Sequence, residues 1–234
     1  MIASTATLVI DARALYGSGI GRSLREISSR LIRRGAFRNV MLAGDPNELQ
    51  PWLADQQLPS AASVLPLAGG RYSLTSQLSW ALTARHIPKE AVIWYAHWDA
   101  PVFSPPHPGV VTVYDLIHLR VPGYAGPVQR TIVRAAIRRV VRKARAVTVM
   151  SEFTRSEVAT LEPSASQKVH VVPGGVAPPF LDAPPSTNSG RQPPYLLVVA
   201  NRKPHKNIEA AVSLLALLRR SDPLLELVII GAQF

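Results

Sequence analysis

The stretch TLVIDARALYGSGIGRSLREI, residues 7–27, decides the fold class. An apolar run (Leu8–Ile10) meets a glycine-rich turn, Gly17-Ser18-Gly19-Ile20-Gly21-Arg22, and an amphipathic pattern follows from Ile20 to Arg34. Strand, tight glycine turn and helix in that order open a βα unit, and such a turn can bring backbone N–H groups close to a phosphate. A tight turn with no ligand satisfies the same pattern. The third glycine of a dinucleotide fingerprint would fall on Arg22, and Asp45 lies too far along to serve as the ribose acid. Nicotinamide binding is therefore disfavoured.

Working outward, the same alternation continues. Further strands are expected at Val40–Leu42, Val92–Tyr95, Val110–Val113, Ala146–Val149, Val169–Val172, Leu196–Val199 and Leu227–Ile230. Most are continuous apolar runs, as in strands buried on both faces of a parallel sheet. Helical patterns lie at Leu74–Ala84, Gln129–Lys143, Thr154–Leu161 and Ile208–Arg220. The expected fold is α/β, a Rossmann-like doubly wound parallel sheet over residues 1–176. Residues 177–194 hold six prolines and read as a linker. Residues 195–234 read as the first βαβ unit of a second Rossmann-like domain, a unit too small to fold alone.

Composition narrows the function. With 47% hydrophobic and 18% charged residues the chain is not disordered. It has no cysteine, so thiolate chemistry and disulfides are excluded, and a reducing cytoplasm is the expected setting. The N-terminal residues show no signal peptide, and no apolar run reaches the roughly 20 residues of a membrane span. A net charge of +11 points to anionic partners.

Polar residues gather where strands end. His97 follows Val92–Tyr95, Asp115 and His118 follow Val110–Val113, and Ser151 and Thr154 follow Ala146–Val149. Ligands of open α/β sheets bind outside the carboxyl ends of strands, so three polar ends in succession suggest a cleft. Packing accounts for His97 alone, and helix capping accounts for Ser151 or Thr154 alone. Asn201-Arg202-Lys203-Pro204-His205-Lys206-Asn207 places three cations before a helix, a suitable cradle for a diphosphate.

In the helix near Gln129–Arg145, Arg130, Arg134, Arg138 and Arg142 recur every four residues with no acid between them. The opposite stripe is Ile132, Val133, Ala136, Ile137, Val140 and Val141, expected to cover the sheet. The arginines would then form a solvated face that can also meet an anionic membrane surface. Nucleic acid is disfavoured, since no aromatic residues interleave with the cations.

Five stretches together resemble the family-4 glycosyltransferases, which have the GT-B fold of two facing Rossmann-like domains. They are IDARALYGSGIGRSLREI, VVTVYDLIHLRVP, VTVMSEFTRSEV, VHVVPGGV and YLLVVANRKPHKNIEAAVSLL, in the family's order. The last looks like members that transfer mannose-type sugars in polysaccharide assembly. The resemblance implies retaining transfer of a hexose from a nucleoside-diphosphate sugar to a glycan or lipid-linked acceptor. It implies no cofactor and no metal, the sugar nucleotide being a co-substrate.

By the same resemblance Gly19 and Gly21 face the donor diphosphate, and Lys206 binds it with Asn201 and Arg202. His97 and Asp115 are implied as catalytic, and Ser151 and His118 as lining the acceptor side. Asn201 stands where many members have arginine, Ala200 replaces a glycine, and Tyr114 replaces a histidine. The expected location is cytoplasmic, with peripheral attachment at the inner face of the membrane. The family's nucleotide pocket and glutamate pair would fall after Ile230, so the expectation is a chain truncated within the donor domain. Two rival readings stay open: a non-catalytic module binding anionic lipid or phosphate, and a nucleotide-binding oxidoreductase.

Overall fold

The computed structural model describes residues 4–58, 62–101, 109–176, 181, 194–201 and 203–231. They fall in two compact units, residues 1–175 and 176–234.

The first unit runs β1 (Ser4–Asp11), α1 (Ser18–Arg33), β2 (Phe37–Gly44), α2 (Pro46–Asp55), β3 (Ala62–Pro66), α3 (Leu74–Thr83), β4 (Val92–Tyr95), β5 (Val110–Val113), α4 (Ile117–Arg120), α5 (Pro127–Lys143), β6 (Ala146–Val149), α6 (Glu152–Leu161) and β7 (Val169–Val171). The strands form one parallel sheet in the order β3-β2-β1-β4-β5-β6-β7, the Rossmann-like α/β architecture expected. Chain order runs outward from β1 to β3, returns to β4 beside β1, and runs outward again. The reversal puts the crossover point of the sheet between the carboxyl ends of β1 and β4.

Alternation along the strands divides the core in two. Val9, Ile93, Tyr95, Val111, Val113, Val147 and Val149 join Trp80 of α3, Val133, Ile137, Val140 and Val141 of α5, and Val158 of α6. Leu8, Ile10, Leu42 and Trp94 join Leu24 and Ile32 of α1 and Leu49 and Trp52 of α2. A polar tie crosses this second face: the Trp94 Nε1–H donates to Thr112 Oγ1 at 2.9 Å, which lies 2.9 Å from Thr148 Oγ1.

The helix ends follow from local chemistry. Asp45 accepts from Asn47 N at 2.9 Å and caps α2, with Pro46 at its first position. Ser73 caps α3 through Ser76 N at 3.1 Å, and Gly35 takes φ +59 just past α1. At the end of α5 the Lys168 ammonium donates to the carbonyls of Arg142 and Ala144, both at 2.7 Å. Glu162 ties α6 to α5, accepting from Arg142 at 2.7 Å, Arg138 at 3.3 Å and Ser164 at 2.5 Å. Those donors, Arg142 foremost, hold its carboxyl at about 2.

Four features differ from the sequence expectations. Helix α2, strand β3 and the short helix α4 were not anticipated. Ile132, placed in the buried stripe of α5, is 63% exposed, because a helix packed on a sheet turns only Val133, Ile137, Val140 and Val141 fully inward.

In the second unit, β8 (Tyr195–Val199) pairs in parallel with β9 (Glu226–Ile230), and α7 (Ile208–Leu218) lies between them in sequence. Among its described residues only Leu225 is buried, while Leu197, Val199, Val212, Leu214, Leu217, Leu218 and Ile230 are exposed. Residues 177–194, read as a linker, lie outside the described residues except for Leu181 and Pro194.

The partition of α5 is open to direct test by urea unfolding. Ile137→Ala, at a fully buried position, should cost about 2–4 kcal/mol. Ile132→Ala should cost less than about 0.5 kcal/mol.

Candidate functional site at the sheet crossover

The strand ends at the crossover place charged groups where water is largely excluded. Asp11 ends β1, level with Tyr95 at the end of β4. The Arg13 fork grips it twice, Nε to Oδ1 at 2.9 Å and Nη2 to Oδ2 at 2.6 Å. Arg13 also donates to Ser76 Oγ in the first turn of α3 at 3.0 Å, and to the Asp99 carbonyl at 3.1 Å. Its Nη1 lies 3.7 Å from Asp99 Oδ2. Asp11, Arg13 and Asp99 side chains are each about 95% or more buried. The neighbouring carboxylates of Asp11 and Asp99 raise the Arg13 pKa despite its burial.

Asp99 in turn orients His97, whose Nδ1 sits 3.1 Å from its Oδ1. Nδ1 is also 3.3 Å from the Asp99 backbone N–H. The shorter contact to a carboxylate is the stronger, so Nδ1 carries the proton and Nε2 is left as the basic nitrogen. Burial lowers the His97 pKa more than Asp99 raises it, keeping the ring neutral at neutral pH. Against the opposing effect of burial, the His97 N–H and the charges of Arg13 and Arg71 hold Asp99 below the usual carboxylate range.

A third segment closes over the pair. Tyr72 takes φ +62, an unusual conformation for a bulky side chain. Its N–H reaches Asp99 Oδ2 at 3.4 Å, and Arg71 Nε lies 3.7 Å from the same oxygen. The Tyr72 ring packs edge-on against His97 at 5.9 Å and tilted against Trp98 at 5.3 Å. Aromatic contacts continue from Trp98 to His118 at 5.6 Å and from His118 to Tyr124 at 4.9 Å. Burial raises the Tyr72 phenol to about 12, so it stays neutral.

The other sequence-selected residues separate into groups. His118 joins the aromatic run, while Asp115 is exposed and accepts from Ile117 N at 3.1 Å at the start of α4. Ser151 caps α6, accepting from Thr154 N at 3.2 Å, and Asp45 caps α2. Gly21 is a packing residue: a Cβ there would lie 2.5 Å from the Leu15 carbonyl oxygen and 2.6 Å from that of Ala14. Gly19 would meet nothing within 4 Å.

In the second unit Asn201 and Lys206 are exposed, Lys206 ending a single 3-10 turn over Pro204–Lys206, and Asn207 follows at φ 49. Arg202 lies outside the described residues. Of the α5 arginines, Arg138 and Arg142 are held by Glu162, and Arg130 donates to the Leu119 carbonyl at 2.6 Å. Arg130 and Arg134 also line an open depression of about 570 Å³ at the start of α5, with Gly126 and Thr131. Among the described residues no three His, Asp or Glu side chains gather as metal ligands, and no helix is long and apolar enough to cross a membrane.

Sequence reasoning found His97 but missed Asp11, Arg13, Arg71, Tyr72 and Asp99 around it. One signal was present: Asp11-Ala12-Arg13 and His97-Trp98-Asp99 each set two polar residues two positions apart at or just past the end of a strand.

A doubly wound parallel sheet with a polar centre at its crossover defines a Rossmann-like α/β domain. The family model for Glycosyltransferase Family 4 matches residues 17–180, about 70% of the chain, and the protein belongs to that family. No curated protein matches the sequence.

Two outcomes follow. His97 stays neutral in the fold while an unfolded histidine protonates below about pH 6.5, so the unfolded chain binds more protons there and stability falls with pH. His97→Gln should flatten the loss in urea midpoint between pH 7 and 5, whereas the steeper loss below about pH 4, from Asp99 and Glu162, should persist. Gly21→Ala should lower the midpoint by the equivalent of about 1–3 kcal/mol through overpacking, and Gly19→Ala should leave it nearly unchanged.

Proposed function

We propose that this glycosyltransferase is of the retaining type and moves a mannose-like hexose from a nucleoside-diphosphate sugar to a glycan or lipid-linked acceptor. The observation that carries the reading is the His97–Asp99 pair at the crossover: a buried, neutral imidazole fixed by a carboxylate is suited to hold a sugar hydroxyl through Nε2. Gly19 supports a close approach by donor or acceptor, since nothing fills the space its missing side chain would take. Transfer leaves a nucleoside diphosphate, whose growing charge needs cations. Lys206, with Asn201 and Arg202, is the group proposed for it. Asp115 is proposed as catalytic with His97, and His118 and Ser151 as serving the acceptor side, Ser151 indirectly through its cap. No metal or organic cofactor enters this scheme.

The proposed workplace is the cytoplasmic face of a membrane, with the basic side of α5 toward anionic lipid. Arg134 at the depression is the best placed for it, since Arg138 and Arg142 already serve Glu162 and Arg130 donates to the Leu119 carbonyl.

The test is incubation of the protein with GDP- and UDP-hexoses and polyprenyl-linked acceptors, reading nucleoside diphosphate release and the anomeric configuration of the product by NMR. The expected result is retention, with His97→Ala and Lys206→Ala each lowering kcat/KM by about 10²-fold or more. Inversion at the anomeric carbon would sink the retaining assignment. Lipid or phosphate binding with no transfer to any acceptor would replace the enzyme with a binding module.

A further inference from the structure

His97 is 7% exposed, so a sugar hydroxyl reaches its ring only if a neighbouring group moves. Two described rings touch it. Trp98 is buried at 4%, while Tyr72 is 55% exposed and lies on the solvent side. Tyr72 is therefore the ring that can leave without opening the core.

The turn that carries Tyr72 holds opposed forces. Gly70-Arg71-Tyr72-Ser73 closes on the Gly70 carbonyl, which accepts from Ser73 N at 3.4 Å and from Ser73 Oγ at 2.9 Å. Its third position takes φ +62, a conformation that such turns give to glycine. A tyrosine there is strained, and strain of that kind is kept where the side chain has a role that glycine could not fill. The contacts that oppose the strain are long. The Tyr72 N–H lies 3.4 Å from Asp99 Oδ2, and Arg71 Nε lies 3.7 Å from the same oxygen, buried and with no hydrogen-bond partner among the described residues. The shorter bond, from Arg71 Nη2 to the Tyr72 phenol at 2.6 Å, joins two residues of the turn and moves with it. Ser73 anchors the far end by capping α3. At the near end Gly69 takes φ +85, and Gly70 has open space where a side chain would be. Adjoining glycines of this kind absorb the dihedral changes of a hinge.

We propose that Tyr72 is a gate: the turn swings about Gly69 and Gly70, lifts the ring from His97 and Trp98 to admit a sugar ring, and closes again. That the entrant is a sugar rests on the reading of His97 as the group that holds a sugar hydroxyl. That the gate opens does not. Closed over a bound sugar, the same ring keeps water from the histidine.

Diethyl pyrocarbonate acylates neutral, accessible imidazoles, and peptide mass spectrometry on the free full chain reads each histidine separately. His170, exposed on β7, is the internal reference. In the parent, His97 should label about tenfold or more slowly than His170, at a rate unchanged by urea well below the unfolding midpoint, as local opening requires. Tyr72→Gly keeps the turn and removes the ring. His97 labelling should rise about tenfold or more, with the urea midpoint unchanged or higher because the strain is gone. Gly70 lies outside the left-handed region and a Cβ there meets nothing within 4 Å, so Gly70→Ala fits the closed turn and narrows the open ensemble. It should slow labelling about two- to fivefold. Parent labelling that climbs in step with urea would show that only global unfolding reaches His97, and would overturn the gate. Labelling of Tyr72→Gly at the parent rate, with the fold retained, would overturn it too. An unchanged rate in Gly70→Ala would overturn the hinge. No sugar nucleotide is present, so these outcomes stand whether or not transfer is found.

Discussion

Two buried carboxylates share one guanidinium at the centre of this domain, and the crossover depends on that arrangement. Asp11 and Asp99 end up 4% and 6% exposed, where an unpaired negative charge would cost several kcal/mol. Arg13 meets both and spends its remaining donor on Ser76. It thereby joins the end of β1, the loop after β4 and the first turn of α3, three segments that no single backbone ladder connects. Such a buried ion group is weak evidence for stability, since well-packed apolar residues often do as well. Its consequence here is positional: with Asp99 fixed, the His97 ring has one tautomer and one orientation.

The segment around Tyr72 belongs to the same constraint. A tyrosine at φ +62 carries a conformational cost of about 1–3 kcal/mol, which its surroundings must offset. The compensation is visible in its N–H to Asp99, its ring against His97 and Trp98, and the Arg71 guanidinium 4.8 Å from its ring centre. Strain of this kind persists where surrounding groups over-determine a conformation, and it lies directly over the histidine.

How much of this could be read from sequence varied with how locally the physics was written. Strands β4, β5 and β6 are continuous apolar runs buried by helices or neighbouring strands, and their bounds were legible to the residue. Helix α2 was not, because Pro46 and Pro51 break the pattern and only Leu49 and Trp52 are fully buried. Strand β3 is an edge strand with one buried residue, Leu65, and ends on a proline. At the site His97 was legible from its place after a strand. Its partners were not, since Arg13 and Asp99 lie 86 positions apart and meet only through sheet order. Glycine was legible as a residue type and not as a role: Gly21 serves helix packing, while Gly19 leaves open space.

The two faces of the sheet also explain why the surface is so uneven. Helices α1 and α2 cover one side of β1 to β3, while α3, α5 and α6 share the other. Burying Trp80, a large side chain at the centre of α3, against Tyr95 at 5.8 Å satisfies that helix's inward face with few contacts. Its outer positions are then free of any packing duty, and in an ordinary solvated helix they would be charged or polar. In α5 they are mixed: Arg134, Arg138, Arg139, Arg142 and Lys143 are exposed along its later turns, and Val128 and Ile132 in its first turns. The contrast between two helices of one layer cannot come from the core, which both serve alike.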